Sequence, residues 1–232
     1  MSEVKKTEVV VLGTLHSQHL QAEHYALDEV EAIIRNINPD VVLAEIPPDR
    51  FAIAQKQFDE DGHITEDRVQ AYPEFTQVVF PLQKGLGFQL IPVSAWTAQM
   101  ADNREQKLTE ISRNPIRSND WNTYLEAKEK VSDLLEESGF EFTPEWINSS
   151  KFDEILEEEL SVFNRLFNDD LGAGGWENIN NSHYKLIETV LKNPSVKGKK
   201  VLIIFGAGHK GWLRRRLAQE KNICLRNLIE LL

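Results

Sequence analysis

Hydrophobic residues occur along this chain with two different spacings. Mostly apolar runs, typical of strands buried on both faces, occupy positions 9–12, 41–44, 88–93 and 200–205. Between the first two runs, a helix is predicted over 21–36, where apolar residues from Leu27 to Ile34 recur on one face, and Asn38-Pro39-Asp40 ends that pattern. Strand, helix and strand in this order predict an α/β fold with a mainly parallel central sheet flanked by helices. Pro92 indicates that the third strand lies at an edge or ends irregularly.

The middle of the chain has a different pattern. From 95 to 191 we find helical periodicity and loop signals but no convincing strand. The clearest helices are predicted over 120–137, 152–167 and 176–192, and another follows the last apolar run over 211–221. No long linker divides the sequence. We therefore predict a single domain over 1–232, in which 95–191 is a helical insertion that covers the carboxyl edge of the sheet.

Composition narrows the function classes. The 232 residues are 41% hydrophobic and 27% charged, a globular balance, and no apolar run is long enough to span a bilayer. The 26 basic and 37 acidic residues give a net charge of 26 − 37 = −11, which repels phosphate backbones. We expect no nucleic-acid or membrane partner. With a single cysteine, Cys224, and no secretory signal pattern, a soluble cytoplasmic protein is expected. The sequence does not fix the oligomeric state.

Three polar residues directly follow predicted strands. His16 and His209 each come after an apolar run through a Gly-x-x-His motif, which starts at Gly13 and at Gly206, and Glu45 closes the second strand. The glycine of each motif is expected to let the chain turn tightly at the strand end and bring the imidazole back over the sheet edge. Ligands bind outside the carboxyl ends of parallel strands, so these side chains are candidates for one site. Two imidazoles and a carboxylate suit a divalent ion with an open position for water, plausibly manganese, cobalt or zinc. Taken singly, each histidine is also consistent with a structural hydrogen-bonding role.

Arg50 and His19 are further candidates near these strand ends. Arg50 could pair with Glu45 or bind a substrate carboxylate or phosphate, and a surface salt bridge to Asp49 or Asp28 is the equal alternative. In a metal-free version of the site, a histidine or Glu45 acts as general base while Arg50 stabilises the oxyanion. His19 shares a helical face with His16 and is a candidate additional ligand.

The glycine-rich segment 172–175 precedes a polar helix. A hinge here could bring Asn181 or His183 over the site, and we predict both as substrate-binding residues. The simpler alternative is a plain connection between helices, with asparagines capping the second one.

These motifs together resemble a known group of proteins. Two Gly-x-x-His motifs near the ends of the domain, a glutamate after the second strand and an arginine soon after it are typical of the superfamily that joins TraB/PrgY proteins, TIKI metalloproteases, erythromycin esterases and ChaN-like haem-binding proteins. The corresponding residues are His16, His209, Glu45 and Arg50. The resemblance implies an α/β sheet covered by helices, with the motif residues at one site.

The resemblance leaves two function classes open. Metal-assisted hydrolysis in the TIKI branch implies a hydrolase acting on a peptide, ester or lactone, with a small-molecule or peptide substrate. The ChaN-like branch implies instead a binding protein whose histidines coordinate haem or a small ligand without turnover. The helical middle carries no match to one branch.

Overall fold

The computed structural model describes residues 6–232, which form a five-stranded, all-parallel sheet flanked by helices. The α/β prediction is confirmed. The strands lie in the order β3-β2-β4-β1-β5, so β3 is an edge strand as Pro92 indicates. Their bounds are β1 Thr7–Thr14, β2 Val41–Ala44, β3 Gln89–Pro92, β4 Lys200–Gly206 and β5 Ile223–Leu225.

The α-helices connect and cover these strands. Their bounds are α1 Leu27–Ile37, α2 Pro48–Asp61, α3 Asp67–Gln70, α4 Phe80–Leu86, α5 Ala98–Arg113, α6 Ser118–Glu137, α7 Pro144–Ile147, α8 Ser150–Phe167, α9 Trp176–Leu191 and α10 Ala207–Leu217. Short 3-10 turns occupy His16–Leu20, Pro115–Arg117, Gly172–Gly174, Pro194–Val196 and Leu228–Leu231, and a π-helix spans Glu74–Val79.

Two helix predictions need correction at their boundaries. The helix expected from residue 21 begins at Leu27, because residues 21–26, which follow the 3-10 turn His16–Leu20, form a turn and bends. The helix expected over 211–221 begins at Ala207 and ends at Leu217. Gly211, the first residue of the predicted helix, lies inside the observed one, where a Cβ atom would approach Asp153 Cγ to 2.9 Å. It permits close packing of α10 on α8 rather than a break.

Both faces of the sheet are buried, which explains the continuous apolar strands. Val10 and Leu12 of β1 pack on one side, against residues of α1, α2 and α4. Val9 and Val11 point to the other side, against α9 and α10. The strand ends that carry the candidate site residues are therefore held between two packed layers.

The segment 95–191 is helical throughout its regular structure, as the periodicity predicts. Helices α5, α6 and α8 meet in a smaller apolar cluster around Phe163 and Phe167. The segment also reaches the sheet, since the Gly13 N–H donates to Asn148 Oδ1 at 2.7 Å. No α-helix among residues 6–232 combines the length and the apolarity needed to cross a bilayer.

The glycine-rich segment before α9 is packed rather than open. Gly174 is buried and its carbonyl accepts from Arg104 Nη1 at 2.6 Å. A Cβ atom on Gly175 would overlap the Asn168 carbonyl, while the Asn168 side chain accepts from the Glu177 N–H at 3.0 Å and so caps α9. These contacts favour the alternative of a plain connection over a hinge.

Candidate functional site

The two Gly-x-x-His motifs lie on neighbouring strands. β1 and β4 pair in parallel, and their register places Thr14 beside Gly206. β2 lies on the other side of β4, and the Glu45 N–H continues the ladder by donating to the Ile204 carbonyl at 3.1 Å. The structure therefore brings His16, Glu45 and His209 to one point of the carboxyl edge.

The backbone at His16 turns sharply to bring its ring back over the sheet. His16 has φ +51°, one of the two positive values at non-glycine residues in the described chain. The ring lies so close to Gly206 that a Cβ there would come within 3.1 Å of His16 Cε1 and closer still to Nε2. Neither Gly13 nor Gly206 has a positive φ. The glycine of the second motif thus makes room for the histidine of the first, rather than supplying the turn expected from the sequence.

Glu45 lies at the centre of the site. Its carboxylate is 4% exposed, and Oε2 accepts from the Gly206 N–H at 2.7 Å. His16 Nε2 lies 3.8 Å from Oε2, and His209 Nε2 lies 3.8 Å from Oε1. One buried carboxylate therefore faces two imidazole nitrogens, one at each of its oxygens.

The outer nitrogen of each of these histidines is held by a buried acceptor. His16 Nδ1 bonds Glu74 Oε1 at 2.7 Å, and Glu74 is fully buried in the π-helix. His209 Nδ1 bonds Asn180 Oδ1 at 2.7 Å, and the Asn180 amide is oriented because Nδ2 donates to the Trp176 carbonyl. Both acceptors place the proton of the neutral ring on Nδ1. The lone pair of each Nε2 is then directed to the Glu45 carboxylate.

Burial and neighbouring charges shift the pKa values of the three candidate site residues. Burial raises the pKa of Glu45 to about 7, although His16 and the Gly206 N–H act in the opposite direction. Burial also holds the pKa of His209 well below its usual value, with further lowering by His183, His16 and Arg104. For His16, burial acts to lower the pKa, but the bond to Glu74 and the charges of Glu74 and Glu45 outweigh it and raise the pKa.

His183 also reaches this site, from α9. It is fully buried, and a ring nitrogen of it, a Glu45 oxygen and a His209 nitrogen lie within 4.8 Å of one another. These three residues form a group that could hold a metal ion. However, His183 Nδ1 accepts from the Ala95 N–H at 2.9 Å, and burial lowers its pKa to about 3. The neutral ring therefore carries its proton on Nε2, which is buried without a hydrogen-bond partner.

Distance and hydrogen bonding thus favour different partners for Glu45 and His209. Distance alone groups them with His183. Hydrogen bonding favours His16, because the free nitrogen of its neutral ring carries a lone pair whereas the free nitrogen of neutral His183 carries a proton, although Glu74 and Glu45 raise the pKa of His16 and an ion would have to displace a proton there. We give the hydrogen bonds more weight, since a metal ligand must offer a lone pair.

Other sequence candidates lie elsewhere. Asn181 is on a different face of α9 from His183, and its amide bonds Glu177 and lines a surface groove. The amide that reaches the site is that of its neighbour Asn180. Arg50 pairs with Asp49 at 3.0 Å and with Glu66 at 3.5 Å, and within residues 6–232 no ion pair joins it to Glu45. Its roles toward a substrate stay predictions.

His19 does not contribute a free nitrogen. Its Nε2 accepts from the Leu15 N–H at 2.9 Å and its Nδ1 bonds the Tyr25 carbonyl at 2.6 Å. Both nitrogens are occupied, so His19 stabilises the turn that carries His16 rather than serving as an additional ligand.

Sequence reasoning missed Glu74 and Asn180. Glu74 lies 58 residues from its partner His16 in the chain, and Asn180 lies 29 residues from His209. The one local signal was an acid beside Phe75 and shortly before the apolar residues 78–80, where an ionisable group that becomes buried needs a partner.

Comparisons with known proteins add no relative. The chain matches no family model, no curated protein and no solved structure. The case for function therefore depends on the geometry above and on the resemblance in the motifs.

Proposed function

We propose that the protein is a metal-dependent hydrolase in which His16, Glu45 and His209 hold a divalent ion. The observation that carries this proposal is the pair of histidine Nε2 atoms that face opposite oxygens of one buried carboxylate, at 3.8 Å each. Ligands about 2.1 Å from a tetrahedral ion are separated by roughly 3.4 Å, which is about 0.4 Å less than the distance of each Nε2 from its own Glu45 oxygen. The two histidines must also move toward each other, because the group of ligand atoms that lie within 4.8 Å of one another includes His183 and not His16.

The surroundings also fit a cation. A histidine ligand must be neutral, and burial favours the neutral form of His209. Ligating histidines usually donate their other N–H to a carboxylate or carbonyl, as His16 does to Glu74 and His209 to Asn180. Two buried carboxylates, Glu45 and Glu74, lie close together here, and a cation would offset their repulsion. Nitrogen and oxygen ligands in this ratio suit manganese, cobalt or zinc.

The reaction that we propose is hydrolysis of a peptide, ester or lactone. When bound, such an ion lowers the pKa of water and polarises a carbonyl. His183 Nε2–H is a fixed, neutral donor beside the same carboxylate, and it would hydrogen-bond the carbonyl oxygen as charge develops there. In the metal-free alternative, Glu45 is the general base, since its pKa of about 7 suits proton transfer near neutral pH.

The motif resemblance supports this proposal through its TIKI branch and leaves haem binding as the rival. The geometry gives more support to the small ion, because the two Nε2 atoms are directed to the same carboxylate. A haem titration distinguishes the two classes. A Soret band that disappears in His16→Ala or His209→Ala would favour the rival.

The main test is a panel of peptide, ester and lactone substrates, with and without added manganese, cobalt or zinc. We expect metal-dependent turnover by the wild type and by His63→Ala, a control in an exposed loop. The double variant His16→Ala/His209→Ala should lose it by a factor of at least about 100. Equal turnover after chelation would favour the metal-free alternative, and equal turnover in the double variant would reject both versions.

A further inference from the structure

A cleft of about 570 Å³ adjoins the candidate site. Its volume lies in the range of small-molecule pockets. Two of its walls touch the histidines: the Tyr72 ring lies edge-on to His16 at 4.6 Å between centroids, and the Trp96 ring lies 6.4 Å from His183. A molecule bound in this cleft would therefore be separated from His16 and His183 by one aromatic ring each.

Two arginines give the cleft a positive character that the chain as a whole lacks. Arg68 and Arg104 both line it, and in the described part of the chain neither has a carboxylate partner within 4.0 Å. Arg68 Nη1 is buried without a hydrogen-bond partner. Glu105 is the one acidic residue among the described residues that line the cleft. By contrast, the nearby Arg117 pairs with two carboxylates.

Arg104 is fixed in place and partly removed from water. Its Nη1 donates to the Gly174 carbonyl, and its guanidinium lies 4.9 Å from the centroid of the Phe163 ring and 5.8 Å from that of Trp96. A guanidinium held this way keeps its remaining N–H groups available for a bidentate acceptor.

Apart from Thr109 and Ser112, the rest of the lining is aromatic and apolar. The side chains that contribute are Tyr72, Trp96, Leu108 and Trp121. Indole and phenol rings offer large flat surfaces to a ligand. The cleft thus combines a flat apolar surface with two guanidinium groups.

We propose that this cleft binds small molecules that carry a carboxylate or phosphate next to a flat apolar group, with Arg68 and Arg104 as the anion-binding residues. That such molecules are substrates of the adjoining site rests on the proposed hydrolase function, whereas the binding itself does not.

The test is calorimetric titration of the full-length, metal-free protein with matched probes. Indole-3-acetate and indole-3-acetamide differ in charge but hardly in shape, and this pair tests for carboxylate binding. Phenyl phosphate and phenol form the second pair, which tests for phosphate binding. We expect the anion of at least one pair to bind at least about tenfold more tightly than its neutral partner. The arm that shows the preference identifies carboxylate or phosphate as the preferred group.

Variants assign the preference to the arginines. Arg68→Gln should abolish it, whereas Arg113→Gln, on the exposed end of α5 and outside the cleft, should retain it. Arg104→Lys keeps the positive charge but not the paired N–H donors of the guanidinium, and it should reduce the preference for anions. The melting temperature checks that this variant folds. Arg68→Gln alone decides the test if the Arg104 variant unfolds.

Equal binding of anionic and neutral probes, or a preference that survives Arg68→Gln, would overturn the proposal. The two proposals fail separately. Hydrolysis without anion preference would refute the cleft assignment alone, and anion binding without hydrolysis would refute the proposed function alone.

Discussion

Replacing Gly206 by Ala tests whether the two motifs form one site. The backbone at Gly206 has φ −51° and ψ 138°, which alanine can adopt without strain. Any loss of metal affinity therefore comes from the added methyl group. That methyl would come within 3.1 Å of His16 Cε1 and would overlap Nε2, whereas ordinary contacts between carbon atoms are about 3.5 Å or more. The His16 ring must therefore withdraw by roughly 1 Å.

A shift of this size removes His16 as a ligand. A nitrogen that should lie about 2.1 Å from the ion cannot coordinate it from about 3 Å. Loss of an outer partner alone typically costs 10–100-fold in metal affinity, so losing a ligand should cost about 100-fold or more. We expect this loss when the metal-stripped protein is titrated with cobalt in a calorimeter.

Gly208→Ala is the matched control within the same motif. A Cβ there would have its nearest neighbour, Trp176 Cη2, at 3.8 Å, an ordinary contact. Because Gly208 lies in the first turn of α10, alanine should stabilise the helix by less than the roughly 0.5–1 kcal/mol that applies in the middle of a helix. A Gly206→Ala variant that melts normally and keeps wild-type cobalt affinity, or a Gly208→Ala variant that loses as much affinity, would show that the two motifs do not form one metal site.

Three further predictions follow from the same contacts. Glu74→Gln weakens the acceptor at His16 Nδ1 and should lower cobalt affinity by about 10–100-fold in equilibrium dialysis; unchanged affinity would contradict that role. Glu45 must be ionised to bind a cation, so affinity should fall as pH falls through about 7. The folding stability of the metal-free protein should depend on pH in the opposite direction. The raised pKa of Glu45 contributes stability at low pH that is lost as pH rises through about 7. Glu45→Gln should remove this loss in melting curves, and a wild-type pH dependence would contradict it. Lys210 is fully buried and paired with Asp153. Lys210→Met should lower the free energy of unfolding, measured in urea, by about 3–5 kcal/mol, because it leaves the Asp153 carboxylate without its partner. A loss below about 1 kcal/mol would show that the pair contributes little.

Much of the fold follows from local patterns in the sequence. The runs at β1, β2 and β4 are continuous because both faces of the sheet are covered, and this pattern needs no tertiary knowledge. The strand-end argument also brings His16, Glu45 and His209 together, since parallel strands end at one edge. β5 was not predicted, because Ile223–Leu225 is too short to form a recognisable run.

The rest of the site depends on contacts that a single sequence does not display. Glu74 reaches His16 from a π-helix 58 residues away. The choice between Asn180 and Asn181 depends on the exact rotation of α9, because adjacent helical residues point about 100° apart. Gly206 looks like a turn residue, yet its function is to admit an imidazole from the other motif.

A crystal structure of the cobalt-loaded protein, with diffraction measured on both sides of the cobalt absorption edge, would show directly which side chains hold the ion. We expect one anomalous peak within about 2.3 Å of His16 Nε2, His209 Nε2 and a Glu45 oxygen. We also expect His183 Nε2 to remain outside the coordination sphere. A site with no peak, or a peak ligated by His183 instead of His16, would rule out the proposed metal site.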